Sequence, residues 1–284
     1  MIIKILNDGI NQELYDKYEL IIFEIIEKNY NWLDLKVNIT VKVTKSNSNF
    51  DGSCKRTRKG YEVQLTDYLL KELEDGVKTD HLDIVALHEL IHVKDACEVN
   101  QKNTSYKTHR RFYRTYDNFI TNVGYHSWTE IHTCFNIFDL SNAYKSEPTF
   151  LEMVRKLDKI VELRDKIYKF NDDNQEYYNK ILDDYFAMIN EFVYQSSRYI
   201  ASIPFRRTNY VHCKKTKNKE AYIYLKKLYD KVINVFVKSL HGTYGKYLLN
   251  RIYKIGLIWL EELYIPLNIY PSKLNGNVVF QFIP

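Results

Sequence analysis

The apolar residues of this chain change their rhythm partway along its length, and that change limits the folds open to it. From about Gln12 to Tyr30 they recur at helical spacing, with Leu14, Tyr18, Leu20, Ile21, Ile25 and Ile26 marking an amphipathic helix. Leu35 to Val43 then alternates, with Val37, Ile39, Val41 and Val43 on one side, and Tyr61–Leu65 alternates again; both read as strands. Ser46 to Gly60 is polar, basic and loop-like. A helix over about Asp67–Leu73 follows, then a break near Gly76. Thr79 or Asp80 supplies the cap of the next helix, roughly Leu82–Glu98, and Asp83 adds negative charge to its first turn. Another helix is expected over Lys107–Asn122, with Gly124 breaking the chain before a further one near Ser127. Beyond that point the helical rhythm dominates. Phe150, Val154, Leu157, Val161 and Tyr168 mark one long helix, and others are expected around Glu176–Ser197, Lys219–Leu240 and Tyr244–Leu263. The tail reads as loop with a short strand at Val278–Phe282. The pattern predicts an α+β protein: a small sheet and helices in residues 1–145, then a mostly helical domain in residues 146–284.

Composition narrows the function classes. The chain has 284 residues, 45% hydrophobic and 27% charged, and no run of about eighteen apolar residues, so no transmembrane helix is expected. The apolar opening Met1–Leu6 is cut short by Asn7 and Asp8, too early for a signal peptide, and a cytoplasmic protein is the expectation. Cys54, Cys97, Cys134 and Cys213 form no C-x-x-C pair and read as free thiols. Much of the net charge of +5 lies in two clusters, Lys55, Arg56, Arg58 and Lys59, then Arg206, Arg207, Lys214, Lys215, Lys217 and Lys219. Solvated loops are the ordinary reading of such clusters, and a nucleic-acid partner the rarer one.

One segment carries chemistry. Val85-Ala86-Leu87-His88-Glu89-Leu90-Ile91-His92-Val93 contains H-E-x-x-H. Histidines four residues apart on a helix project from one face, so His88 and His92 can hold one metal ion. Glu89, beside the first of them, can take a proton from a metal-bound water without binding the metal itself. The motif lies on a capped helix with uncharged aliphatic flanks and no proline. The competing account is two histidines merely packed on a helix face.

On these residues the chain resembles the zincin class of metallopeptidases. Val85, Ala86, Leu90, Ile91 and Val93 comply with the extended pattern of that class, and Lys94 departs from it. The resemblance covers roughly residues 35 to 140 and implies a Zn2+ cofactor. It also implies a small sheet before the active-site helix whose edge strand binds substrate in extended form, with Tyr61–Leu65 as the candidate strand.

A catalytic zinc site needs a third protein ligand. Glu130, 38 residues beyond His92 in Ser127-Trp128-Thr129-Glu130, is the preferred one. That placement looks gluzincin-like, as in ImmA-like peptidases and, more distantly, the anthrax lethal factor group. Ser127-x-x-Glu130 is also a capping box, in which the glutamate would serve only the backbone. His109 comes second, in the manner of SprT-like proteases, although Arg110 stands where that family has glycine. Glu98 comes last, at the metzincin position, because a continuing helix points it away from the metal. Asp95, three residues after His92, could orient a ligand histidine or be an exposed helix carboxylate. Tyr125, His126 and His132 are candidates for stabilising the transition state, and Trp128 reads as packing.

The function expected is a zinc metalloendopeptidase acting on a protein or peptide substrate. Two alternatives remain open: a SprT-like protease acting on DNA-bound proteins, and a non-catalytic binding protein on the same scaffold. Retention of Glu89 counts against the last, since a structural site needs no base.

Overall fold

The computed structural model describes residues 2–46, 51–105, 117–140, 149–170, 175–203, 219–240, 247–274 and 277–282. The chain divides into two compact units, Met1–Asn103 and Thr104–Pro284. The architecture is mixed α+β, a small sheet followed by a mostly helical remainder, as the change of period predicts.

In the first unit, β1 (Ile3–Asp8) runs into the amphipathic helix α1 (Gln12–Trp32), which returns the chain to β2 (Ile39–Thr44). That crossover allows β1 and β2 to pair in parallel, from Ile3 opposite Ile39 to Asp8 opposite Thr44. Asn11 caps α1, its side chain accepting the Leu14 amide. β3 (Gly52–Thr57) and β4 (Gly60–Thr66) form a hairpin, and β4 pairs in parallel with β2, giving the order β1-β2-β4-β3. Gly60 is required at the turn. Its φ is +144°, and a Cβ there would lie 2.1 Å from the Asn38 carbonyl oxygen.

This order corrects two expectations. β3 falls inside the stretch read as loop. Tyr61–Leu65 lies in β4, paired on both sides, so the outer strand at this end of the sheet is β3.

One face of the sheet supplies Ile39, Val41, Val43, Val63 and Leu65 to a core shared with Ile22 and Ile26 of α1. The helix α3 (Asp80–Ser105) adds Leu82, Val85, Ala86, Leu90 and Val93 to it. The other face is polar. Glu62 is held there by Lys55 at 2.7 Å, Gln64 at 3.0 Å and Lys42 at 3.4 Å. The short helix α2 (Asp67–Glu74) ends at Asp75 and Gly76, the latter at φ +82°, and leads into α3. The Asp83 amide donates to the Thr79 carbonyl, which places Thr79 at the cap of α3. Asp83 does more than complement the helix dipole: its carboxylate accepts from Asn29 at 2.7 Å and pairs with Lys28, pinning α3 to α1.

The second unit centres on α4 (Asp117–Leu140), which packs against α6 (Gln175–Ser202) and α8 (Leu248–Trp259). Around these, α5 (Phe150–Tyr168) lies on α6 and α7 (Lys219–Leu240) on α8. A capping box that the sequence reading did not identify, Thr149 with Glu152, starts α5.

Gly124 does not break the chain: α4 runs through it and through Ser127 without interruption. The glycine is there for contact. A Cβ on Gly124 would stand 2.0 Å from the Ile252 carbonyl oxygen, and one on Gly256 would stand 1.8 Å from that of Ile120. Two backbones cross at a separation only hydrogen atoms permit. The first half of the helix expected over Lys107–Asn122 lies outside the described residues. After Trp259 the α8 ladder loosens into a π turn, Leu260–Tyr264, and a 3-10 turn, Ile265–Leu267. The expected helix to Leu263 therefore ends early as an α-helix. Pro266 cannot donate an amide and Asn268, at φ +61°, turns the chain into β5 (Ile269–Leu274). β5 pairs antiparallel with β6 (Asn277–Phe282), which contains the predicted terminal strand. Among the described residues no helix is long and apolar enough to cross a membrane.

Candidate metal centre

α3 is not an amphipathic surface helix in its middle. Every residue from Val85 to Ile91 is buried, because the segment is apolar apart from His88 and Glu89. Burial forces those two polar side chains to be satisfied within the protein. His88 and His92, one turn apart, bring their Nε2 atoms to 3.0 Å with the rings at 82°. Two nitrogens sharing one tetrahedral zinc at ~2.0–2.1 Å would lie roughly 3.3 Å apart, so the pair needs only a small adjustment to grip one ion. The same approach allows one ring to donate an Nε2 proton to the other, a bond a metal ion would replace. The residues present fit a borderline-soft divalent cation.

Glu89 points from the same turn toward the start of β3. A Cβ built on Gly52 would stand 3.0 Å from Glu89 Cγ, 3.1 Å from its Oε1 and 2.9 Å from Val85 Cγ1. The first residue of the outer strand is therefore glycine so that backbone can pass against the candidate base. The sequence reading missed Gly52, since it lay in the presumed loop; a glycine flanked by polar residues gives little signal until the strand is known.

Asp95 is fully buried and is thus not the exposed carboxylate considered as its alternative role. α3 continues to Ser105, and the Glu98 carboxylate pairs with Lys94 at 3.6 Å. On an unbroken helix Glu98 is rotated well away from His88 and His92. Cys97 lies half-buried nearby, its thiol pKa raised chiefly by burial.

The remaining candidates belong to the second unit. On α4, Ser127 through Cys134 are all buried. Ser127 is mid-helix, so the capping-box account of Ser127-x-x-Glu130 does not apply. Its hydroxyl instead meets Ser197 Oγ of α6 at 2.8 Å and accepts from Trp259 Nε1 of α8 at 2.8 Å. Trp128 stacks on His132, with centroids 5.1 Å apart, and donates to Ser239 of α7 at 3.3 Å. These bonds fix the helix against its neighbours and so fix the direction of Glu130. That carboxylate is 2% exposed. It accepts from the Cys134 thiol at 3.5 Å and lies 4.0 Å from Arg198 Nε of α6. Of the three residues considered for transition-state stabilisation, His132 is buried, Tyr125 half-buried and His126 exposed. His109 lies outside the described residues.

No family model, curated protein or solved structure matches the chain.

Proposed function

We propose that the chain is a zinc-dependent metalloendopeptidase of the cytoplasm, in which His88, His92 and Glu130 hold the ion and Glu89 is the general base. The observation that carries this reading is the approach of two imidazole nitrogens to 3.0 Å on a buried helix, with a buried carboxylate on the intervening turn. A helix that needed only packing there would be served better by aliphatic side chains. Zinc, when bound, polarises a peptide carbonyl and acidifies water at near-neutral pH. Glu89 would accept a proton from that water at its carboxylate and return it to the leaving amine, while His88 and His92 would offer the ion the nitrogens that face each other. Glu130 is favoured over His109 because it is a buried carboxylate held in a fixed direction, and a buried carboxylate requires a cation. Arg198 offers one such cation, so the competing account is a glutamate serving that ion pair alone.

Elemental analysis of untagged protein tests the ligand set. Wild type is expected to hold close to one zinc per chain, Glu130→Ala to lose most of it, and His109→Ala to keep it. Loss in His109→Ala alone would move the third ligand to His109. No metal in the wild type after zinc is supplied would end the peptidase reading.

A further inference from the structure

We propose that the outer strand β3 selects extended peptide segments carrying acidic side chains, three or four residues away from the bond Glu89 serves. The inference rests on the peptidase reading for the identity of the bond, and on the first unit alone for its geometry. β3 is terminal in the sheet order, so half of its backbone N–H and C=O groups face away from β4, a template for one more strand. One end of that strand is Gly52, against Glu89. From there β3 leads to Lys55 and Arg56, roughly 10–13 Å further on at ~3.3 Å per residue, and the turn adds Arg58 and Lys59. All four basic residues are exposed.

Glu62 is shared between Lys55 and Lys42, and Asp51 lies 3.8 Å from His81. No ion pair is seen for Arg56, Arg58 or Lys59 among the described residues. Charged side chains on an outer strand ordinarily discourage pairing with apolar or like-charged strands, and these same charges admit an acidic one. A nucleic acid would answer the charge and leave the strand's backbone groups unused, which favours a peptide.

The test uses the full zinc-supplied chain carrying Glu89→Gln, so that probes are bound and not cut. Fluorescence anisotropy is read for labelled ten-residue Thr/Val peptides bearing three Asp, three Asn or three Lys, for the Asp peptide with alternate backbone nitrogens methylated, and for a twenty-nucleotide single strand. The Asp peptide is expected to bind at least tenfold tighter than the Asn peptide, with steep salt dependence, and to lose that margin on N-methylation. Replacing Lys55, Arg56, Arg58 and Lys59 by Ser removes the preference. Replacing all four by Glu transfers it to the Lys peptide, an outcome that a misfolded variant cannot give. Equal binding of Asp and Asn peptides, indifference to N-methylation, or binding of the oligonucleotide alone would each overturn the proposal. Zinc content and wild-type cleavage are measured in parallel. Full zinc and cleavage without acidic preference defeat this inference only, whereas acidic preference without zinc or cleavage defeats the peptidase reading only.

Discussion

Glu62 shows how much one side chain can carry on an open sheet face. Its carboxyl is held below the usual glutamate range, first by the hydrogen bond from Lys55, then, against the opposing effect of burial, by Gln64 and Lys42. Asp67 behaves alike: burial raises its pKa, but Lys71 and the Ser46 amide outweigh that, and the net shift is downward. A carboxyl depressed in the folded state stabilises above its unfolded pKa, about 4 for these groups, and that stability is lost as pH falls through the lower folded value. Glu62→Gln and Asp67→Asn are therefore each expected to lower Tm at pH 7 by roughly 2–4 °C, with the deficit shrinking as pH falls below about 4. Thermal melts across that range check the sign; a deficit that stayed constant to pH 2 would show that the charge is not what holds these residues. Each substitution leaves His88, His92 and Glu89 in place, so neither should change metal content.

At the scale of elements, the crossing of α4 and α8 is the most sharply determined feature of the second unit. Gly124→Ala brings a methyl group to 2.0 Å from a carbonyl oxygen, and the backbone of the neighbouring helix has to retreat. Alanine gains about 1 kcal/mol of helix propensity, and overpacking of this kind costs about 1–3 kcal/mol or more. Both Gly124→Ala and Gly256→Ala should lose stability on balance, read as a lower urea midpoint; a rise in midpoint would contradict the crossing. Sequence could not have shown this. A glycine in a helical pattern reads equally as a stop or as a close approach, and only the partner, more than a hundred residues away, decides. The strands failed differently. β2 and β4 present buried apolar residues at alternate positions and were legible, whereas β3 offers only Cys54 among Gly, Ser, Lys, Arg and Thr. β1 alternates in burial, but its exposed Leu6 blurs the pattern. The long helices α1, α5, α6 and α7 were read nearly whole, since each sustains a three-four rhythm over several turns. Of the candidate centre, His88, Glu89 and His92 were legible because helical spacing alone fixes their relation; Gly52 was hidden by a strand that carries no pattern.

For the whole molecule, two compact units divide the work that the proposal assigns. The first presents paired imidazoles, a buried carboxylate and an outer strand beginning beside it. The second holds Glu130 on a helix tied to three neighbours through Ser127 and Trp128. The claim stands on what these side chains can do, and its centre is Glu89 acting as a base. The most direct measurement compares wild-type chain and Glu89→Gln, both loaded to the same zinc content, on a mixed peptide library, counting new N-termini by mass spectrometry. The account predicts that wild type generates cleavage products and that Glu89→Gln, with zinc retained, falls by about 10²–10⁴-fold. Cleavage by Glu89→Gln at the wild-type rate, or a fully zinc-loaded wild type that cuts nothing, would contradict it.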